Sequence, residues 1–413
     1  MSPQRAGLRR RHGFTRLWAA QTISLLGSGM GALPFTALLI LRASPLDMGL
    51  LGAATRAPGL VAAPLAGVWV DRLPRRPLMV AADLGRAALL LSVPAVATFG
   101  LLRLEQLYAV AFLSGALDAV AELAAVAYLP ALVDREDLVE ANGRLAAGAA
   151  VAEAGSFSVG GWVVQAVGAL AATVIDAVTF LASAALLLSI RAPEPAPSPE
   201  TREPLWRDVT AGLRTVAQRP LLRVLAIGAV ALALGRGAIG AVILLYGARD
   251  LGLSPGVLGL IFAVGGGASL VAALAAGAVA RRLGPGPTLV LTALVATAGA
   301  ACLPLAGGPT AVAVALLVLS QVVNDPAVAI YEVNEVSLRQ ALTPDRLLGR
   351  VNGAVRFAGL LALLAGSLLG GLVGQAAGPR AALTVGVGLG SLQVVALALS
   401  PVRSLRSRPD AGP

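Results

Sequence analysis

Long apolar runs recur about twelve times along these 413 residues, and the second half of the chain repeats the first at a constant offset of 210. Residues 60–67 read LVAAPLAG and residues 270–277 read LVAALAAG, identical at six of eight positions. The same offset pairs Asn142-Gly143 with Asn352-Gly353, Gly160-Gly161 with Gly370-Gly371, Gln165 with Gln375, Gly168 with Gly378 and Pro77 with Pro287. Register kept over separate stretches marks a duplicated structural unit. Two parallel membrane-embedded repeats are the build of secondary transporters, in which the substrate path lies where the repeats meet.

The hydropathy pattern predicts an all-α membrane protein of twelve transmembrane helices in two six-helix pseudo-symmetric halves. Spans fall near 16–41, 48–70, 78–100, 106–129, 144–167, 169–190, 221–248, 254–280, 287–305, 310–334, 351–375 and 380–401. Each is long enough, or nearly so, to cross roughly 30 Å of hydrocarbon as a helix. Lipid offers the backbone no hydrogen-bond partners, so uninterrupted apolar lengths of this kind must be helical. Only 13% of the residues are charged and mean hydropathy is +0.81, values that a soluble chain of this length does not reach. The first run exceeds a signal-peptide core and no small-residue cleavage pattern follows it, so it reads as a retained span.

Every one of the 32 basic residues is arginine, and sorting them by the expected spans puts 25 on the side that holds both termini. The positive-inside rule makes that side cytoplasmic, which requires an even number of spans. The expected product is a multi-pass plasma-membrane protein. The net charge of +10 does not imply nucleic acid, because the arginines cluster at inner helix ends where anionic lipid attracts them. The expected divisions are an N-terminal half at 1–190, a cytoplasmic linker at 191–220, a C-terminal half at 221–401 and a tail at 402–413. Within the linker, RAPEPAPSPETREP at 191–204 excludes regular helix, whereas Trp206, Val209, Leu213 and Val216 recur at helical spacing with arginine between. That spacing predicts a short amphipathic helix on the inner membrane face.

Residues 67–76 read GVWVDRLPRR, which matches the G-x-x-x-D-R-x-x-R-R signature between the second and third helices of the major facilitator superfamily. The chain is thereby identified as resembling that superfamily over nearly its whole length. Gly67 permits close helix approach. The resemblance implies that Asp71 braces the inner side against the start of the eleventh helix, near Arg350 to Asn352, with Arg72, Arg75 and Arg76 anchoring the loop to lipid phosphates. In the second half the equivalent segment is GAVARRLGPGP, with Arg281 where Asp71 stands. FTRLWAAQTISLLGSGM at 14–30, LMVAADLGRAALL at 78–90, LPALVDREDLVEANG at 129–143 and DAVTFLAS at 176–183 resemble more narrowly the drug and siderophore exporters similar to the enterobactin exporter. One departure concerns the G-P-x-x-G-G kink of antiporters, which is Ser156-Phe157-Ser158-Val159-Gly160-Gly161 here. The small-residue face remains without the proline, and Gly160, Gly161, Gly370 and Gly371 are expected to form close-packed crossings on which the halves rock.

A charge at a helix centre costs about 2.5–3.5 kcal/mol on insertion scales, so such residues face a cavity or a partner. Asp118 and Glu122 on the fourth span, Glu153 on the fifth and Asp325 and Glu332 on the tenth are the candidates for proton coupling or substrate contact, with Arg56 and Arg236 as countercharges. Asp83 and Arg86 are expected to form a structural pair, and Asp176 to cap the sixth span. Glu335, Arg339 and Arg356 fall near the inner interface. Enzyme chemistry has little to stand on: His12 lies in the N-terminal tail, the single Cys302 sits in a span, and G-x-x-x-x-G-K-[ST] is absent. Gly265-Gly266-Gly267 reads as helix packing. The expected function is a proton-coupled exporter of hydrophobic small molecules, acting as a monomer among membrane lipids with protons as partner and with no cofactor, metal or nucleic acid. Alternatives are proton-linked uptake, lipid transport, or a non-transporting receptor or scaffold.

Overall fold

The computed structural model describes residues 12–60, 73–191 and 205–406. Among them all regular structure is helical. Packing divides the chain into two compact units, one of Met1–Arg42 and Ala54–Thr201, the other of Ala43–Ala53 and Arg202–Pro413.

In the first unit α1 (His12–Ser28) and α2 (Ala32–Leu39) form one interrupted span, broken where Gly31 takes φ of 67°, a conformation that glycine adopts without a steric cost. After α3 (Pro45–Arg56), whose start belongs to the second unit, come α4 (Arg75–Thr98), α5 (Leu104–Tyr128), α6 (Leu138–Val167) and α7 (Ala169–Leu188). The second unit opens with α8 (Leu205–Gln218), the helix expected from the linker periodicity, which packs on α14 where Gly212 meets the Arg350 carbonyl and Ala354; α14 spans Leu348–Ala377. The remainder is α9 (Pro220–Leu245), α10 (Pro255–Leu283), α11 (Pro285–Ala300), α12 (Cys302–Leu305), α13 (Thr310–Ala341) and α15 (Pro379–Ala398).

The 210-residue offset reappears in the element boundaries. Helix α6 maps onto α14 and α7 onto α15 at both ends, since 138, 167, 169 and 188 become 348, 377, 379 and 398. Between the paired helices Gly168 (φ 86°) and Gly378 (φ 89°) make the same positive-φ corner. The cores repeat as well: Met79, Tyr128 and Leu187 in the first unit correspond to Leu289, Leu338 and Leu397 in the second, and all six are buried. Lipid is as apolar as these side chains, so dispersion and close packing hold the bundles together rather than exclusion of water.

Among the described residues ten segments are long and apolar enough to cross a membrane. Two expected spans fall outside that set. The span at 48–70 runs into residues 61–72, which lie outside the described residues together with Gly67, Asp71 and Arg72. Helix α6 has the length, at 30 residues, but its apolar character is diluted by Glu140, Arg144, Glu153 and Gln165.

Arg76, expected on lipid phosphate, closes a helix end instead. Its Nε donates to the Leu187 carbonyl at 2.8 Å and its Nη2 to that of Leu188, while Arg16 donates to Ser189. Two guanidinium groups thus satisfy the last carbonyls of α7 and oppose the negative end of its dipole. Arg76→Ala is expected to destabilise the folded protein by about 1–2 kcal/mol, the worth of charge-assisted bonds at a part-exposed site. A thermal-unfolding shift in detergent measures it, and an unchanged midpoint contradicts the capping role.

Candidate functional site

Helices α9, α10, α11, α12, α13 and α15 line an open-sided cavity of ≈ 240 Å³ in the second unit. Apolar walls come from Leu232, Ile239, Phe262 and Val328. Polar groups converge from three sides: Arg236 on α9, Gln321, Asn324 and Asp325 on α13, and Gln393 on α15. Spacing on α13 explains part of this, because positions 321, 325 and 328 stand one above the other on one helical face. A few placed polar groups on an apolar lining is the composition of a small-molecule site.

Four of these five groups are held. The Gln321 Nε2 donates to Asp325 Oδ2 at 3.0 Å, and Asn324 Nδ2 donates across to the Ala296 carbonyl on α11 at 2.8 Å. Arg236 Nη1 lies 2.7 Å from Glu332 Oε1, so two charges within membrane-spanning helices neutralise each other beside the cavity. Pro326 follows Asp325 inside α13 and removes one helical donor beside the cavity. Gly265 is required by contact: a Cβ there would stand 2.2 Å from Asp325 Oδ2 and 2.5 Å from Gln321 Nε2. Gly267 has nothing within 4 Å of such a position. Gly265→Ala is therefore expected to leave the fold intact, because side-chain ends give way, but to displace the carboxylate and weaken ligand binding about tenfold, the cost of one hydrogen bond at about 1.4 kcal/mol. Gly267→Ala is the control, and equal affinity of the two variants would contradict the steric role.

Of the residues anticipated from sequence, Asp325, Arg236 and Glu332 come together here. Asp118 goes elsewhere: its Oδ1 pairs with Arg86 Nη1 at 2.8 Å in the first unit. The expected Asp83–Arg86 pair gives way to this one. Asp83 is buried beside Ser183, and its neighbour one turn along α4 reaches to α5 instead. Asp176 does not cap a helix, since α7 starts at Ala169 and Asp176 is in its interior. Glu153 is exposed on α6 and is not a lining residue of the cavity. Glu122 and Arg56 each have an interaction partner of their own. Glu335 and Arg339 form a buried pair at 3.2 Å within α13.

The glycines expected at crossings lie inside the units. A Cβ on Gly160 would meet the Met30 carbonyl at 2.1 Å, and one on Gly370 the Ala238 carbonyl at 2.4 Å; Gly161 is buried and Gly371 approaches Pro45 and Gly49. They pack α6 closely on the α1–α2 break and α14 on α9.

Sequence reasoning missed Gln321, Asn324 and Gln393 because it sorted span residues by charge. The repeat holds a usable signal. Ala296, Val328, Gly386, Gly390 and Gln393, all on the cavity wall, are the equivalents at offset 210 of Arg86, Asp118, Asp176, Phe180 and Ser183. Where one unit is packed with charge, the other keeps small side chains and a void. Among the described residues no group of three or more His, Cys, Asp or Glu is arranged to hold a metal ion.

The family model for the Major Facilitator Superfamily matches residues 17–337 and, a second time, 225–412. The uncharacterized MFS-type transporter YfiS of Bacillus subtilis (strain 168) is 27% identical over 380 residues, covering 89% of this chain and 88% of its own. Among solved structures, a point mutant of the nucleoside transporter NupG superposes with a TM-score of 0.76 at 13% identity, covering 94% of this chain and 99% of NupG. A bacterial homologue of the iron transporter ferroportin, in its inward-facing state, gives 0.72 at 19% identity, covering 93% and 97%. These likenesses concern the fold.

Proposed function

The chain belongs to the Major Facilitator Superfamily and is a multi-pass membrane transporter, not an enzyme, and we propose that it is a twelve-helix monomer of the plasma membrane, with cytoplasmic termini, that exports a small organic molecule in exchange for protons. The observation carrying this reading is the cavity in the second unit, whose apolar walls surround Arg236, Asp325 and three amide side chains. Apolar walls accept a hydrophobic body. The charged and amide groups orient a polar substituent, as a drug or siderophore carries. At ≈ 240 Å³ the cavity is smaller than the roughly 300–1,000 Å³ of drug-sized sites, which favours a compact substrate or a substrate moiety.

The driving force is adequate. One charge crossing 100 mV is worth about 2.3 kcal/mol and one pH unit about 1.4 kcal/mol, each sustaining a gradient of tenfold or more. Proton-linked uptake is the second reading, and Gln321, Asn324 and Gln393 favour it, because such amides match polar heterocycles and the structural neighbour NupG is a nucleoside transporter. Accumulation profiling of a deletion strain and an overexpressing strain against antibiotics, siderophores and nucleosides decides between them. Export requires lower accumulation on overexpression, uptake requires higher, and no change with any compound rejects both.

A further inference from the structure

The first unit contains a buried charge cluster that the cavity of the second unit lacks. Asp83 (3% exposed), Arg86 (6%) and Asp176 (6%) lie among α1, α4, α5 and α7. The Arg86 guanidinium stacks 3.9 Å from the Phe180 ring, donates from Nη2 to Ser28 Oγ at 2.8 Å and pairs through Nη1 with Asp118 on α5. Asp176 stands one turn from Phe180 on the same face of α7, so its carboxyl is directed at the side of the cluster that Arg86 occupies. Two polar atoms there have no hydrogen-bond partner, Arg86 Nε and Asp176 Oδ1, both fully buried. Arg86 acts electrostatically on Asp176, so the unpaired donor and the unpaired acceptor belong to one cluster.

Charge counting decides the state of Asp176. One guanidinium faces three carboxyls, and Asp118, whose side chain is 54% exposed, already holds it in a direct pair. A second and third buried carboxylate would be uncompensated, at a cost of several kcal/mol each. The other elements packed on α7 do not supply a countercharge: α1 gives Ser28 at this level and α2 gives Thr36, while on α6 Glu140 and Arg144 pair with each other and Glu153 is exposed. A metal cation is disfavoured because the guanidinium occupies the cationic position. Nor does the fold demand the cluster, since the equivalent helices of the second unit pack with Ala293, Ala296, Val328 and Gly386 at the places of Asp83, Arg86, Asp118 and Asp176.

We propose that Asp176 is the carrier of the coupling proton, exchanged with solvent through Asp118 as Arg86 changes partner between them. Resting on the proton-coupled reading above, the step is balanced: the Asp176 carboxyl loses a proton to the Asp118 carboxylate, Arg86 moves its pairing from Asp118 to Asp176, and the half-exposed Asp118 then releases the proton to water. Net charge in the cluster is the same before and after the transfer between the two acids. The two units then divide the labour, the second holding substrate and the first the proton.

The test uses the full-length protein in lipid nanodiscs and follows the infrared carbonyl band of un-ionised carboxyl groups as pH is raised. The expected result is an un-ionised carboxyl band at neutral pH in the wild type, one component of which is lost at alkaline pH, is missing in Asp176→Asn while the Asp83 contribution stays, and is lost at lower pH in Asp118→Asn, where Arg86 is released to Asp176. Because asparagine imitates the protonated acid, Asp176→Asn should melt no lower than wild type. A band unchanged in Asp176→Asn, a response to sodium rather than to pH, or a lower melting point for that variant overturns the assignment. In proteoliposomes, using a compound found by the accumulation screen, Asp176→Asn should lose gradient-driven flux at least tenfold and keep downhill exchange. Retention of gradient-driven flux overturns the coupling role. Should the wild type itself move every compound independently of the proton gradient, the proton-exchange reading fails while the infrared result still reports where a proton sits.

Discussion

Gly366→Ala is expected to deplete folded protein from the membrane, although it adds one methyl group to a helix. A Cβ at this position of α14 would lie 2.1 Å from the Leu234 carbonyl oxygen, 2.9 Å from its carbonyl carbon and 3.1 Å from the Ala238 nitrogen. All three are backbone atoms of α9 and cannot rotate away as a side-chain end does. The helices must separate, and in a bilayer separation forfeits the packing that holds them together. Overpacking costs typically 1–3 kcal/mol and occasionally more, and the backbone contact puts this site at about 3 kcal/mol. Gly359→Ala on the same helix is the internal standard. Nothing stands within 4 Å of a Cβ there, so helix propensity alone acts and should stabilise by up to about 1 kcal/mol. Fluorescent-fusion size-exclusion profiles and melting points of the two variants should diverge in opposite directions. Equal behaviour of both would mean that the α9–α14 crossing does not limit stability.

That contrast also locates what the sequence makes legible. The repeat offset relates α6 to α14 and α7 to α15 end for end, because helix ends and the corner glycines Gly168 and Gly378 are set by local chemistry that duplication copies, whereas the hydropathy spans at 144–167 and 351–375 begin inside the helices that start at Leu138 and Leu348. Small residues at crossings are legible for the same reason. Charge partners were not. Arg86 has an acid three residues before it and another on the next helix, and only three-dimensional reach selects Asp118 over Asp83. The cavity was hidden more deeply, since a void is written as residues that are absent. Ala296, Gly386 and Gly390 become informative only beside Arg86, Asp176 and Phe180 at the same repeat positions.

Asp325→Asn is expected to abolish both gradient-driven and downhill movement of substrate. On the cavity wall Asp325 accepts a hydrogen bond from Gln321 and shares the lining with Arg236, an anion and a cation facing one compartment. Loss of a charged hydrogen-bond acceptor costs about 1.5–3 kcal/mol, equivalent to roughly ten- to a hundredfold in affinity. The isosteric amide keeps the packing against Gly265, so folded protein should be retained. Replacing Arg236 instead leaves Glu332 without its partner inside a membrane-spanning helix, so that variant should lose binding and also yield less folded protein. The profile differs from that of Asp176→Asn, which keeps downhill exchange. Measuring both fluxes on both variants in the same vesicles therefore assigns the acids: a substrate acid loses both fluxes and a coupling acid loses only the uphill one. If Asp325→Asn loses uphill flux alone while Asp176→Asn loses nothing, the proton resides in the second unit beside the substrate, and the division of labour between the two units is wrong.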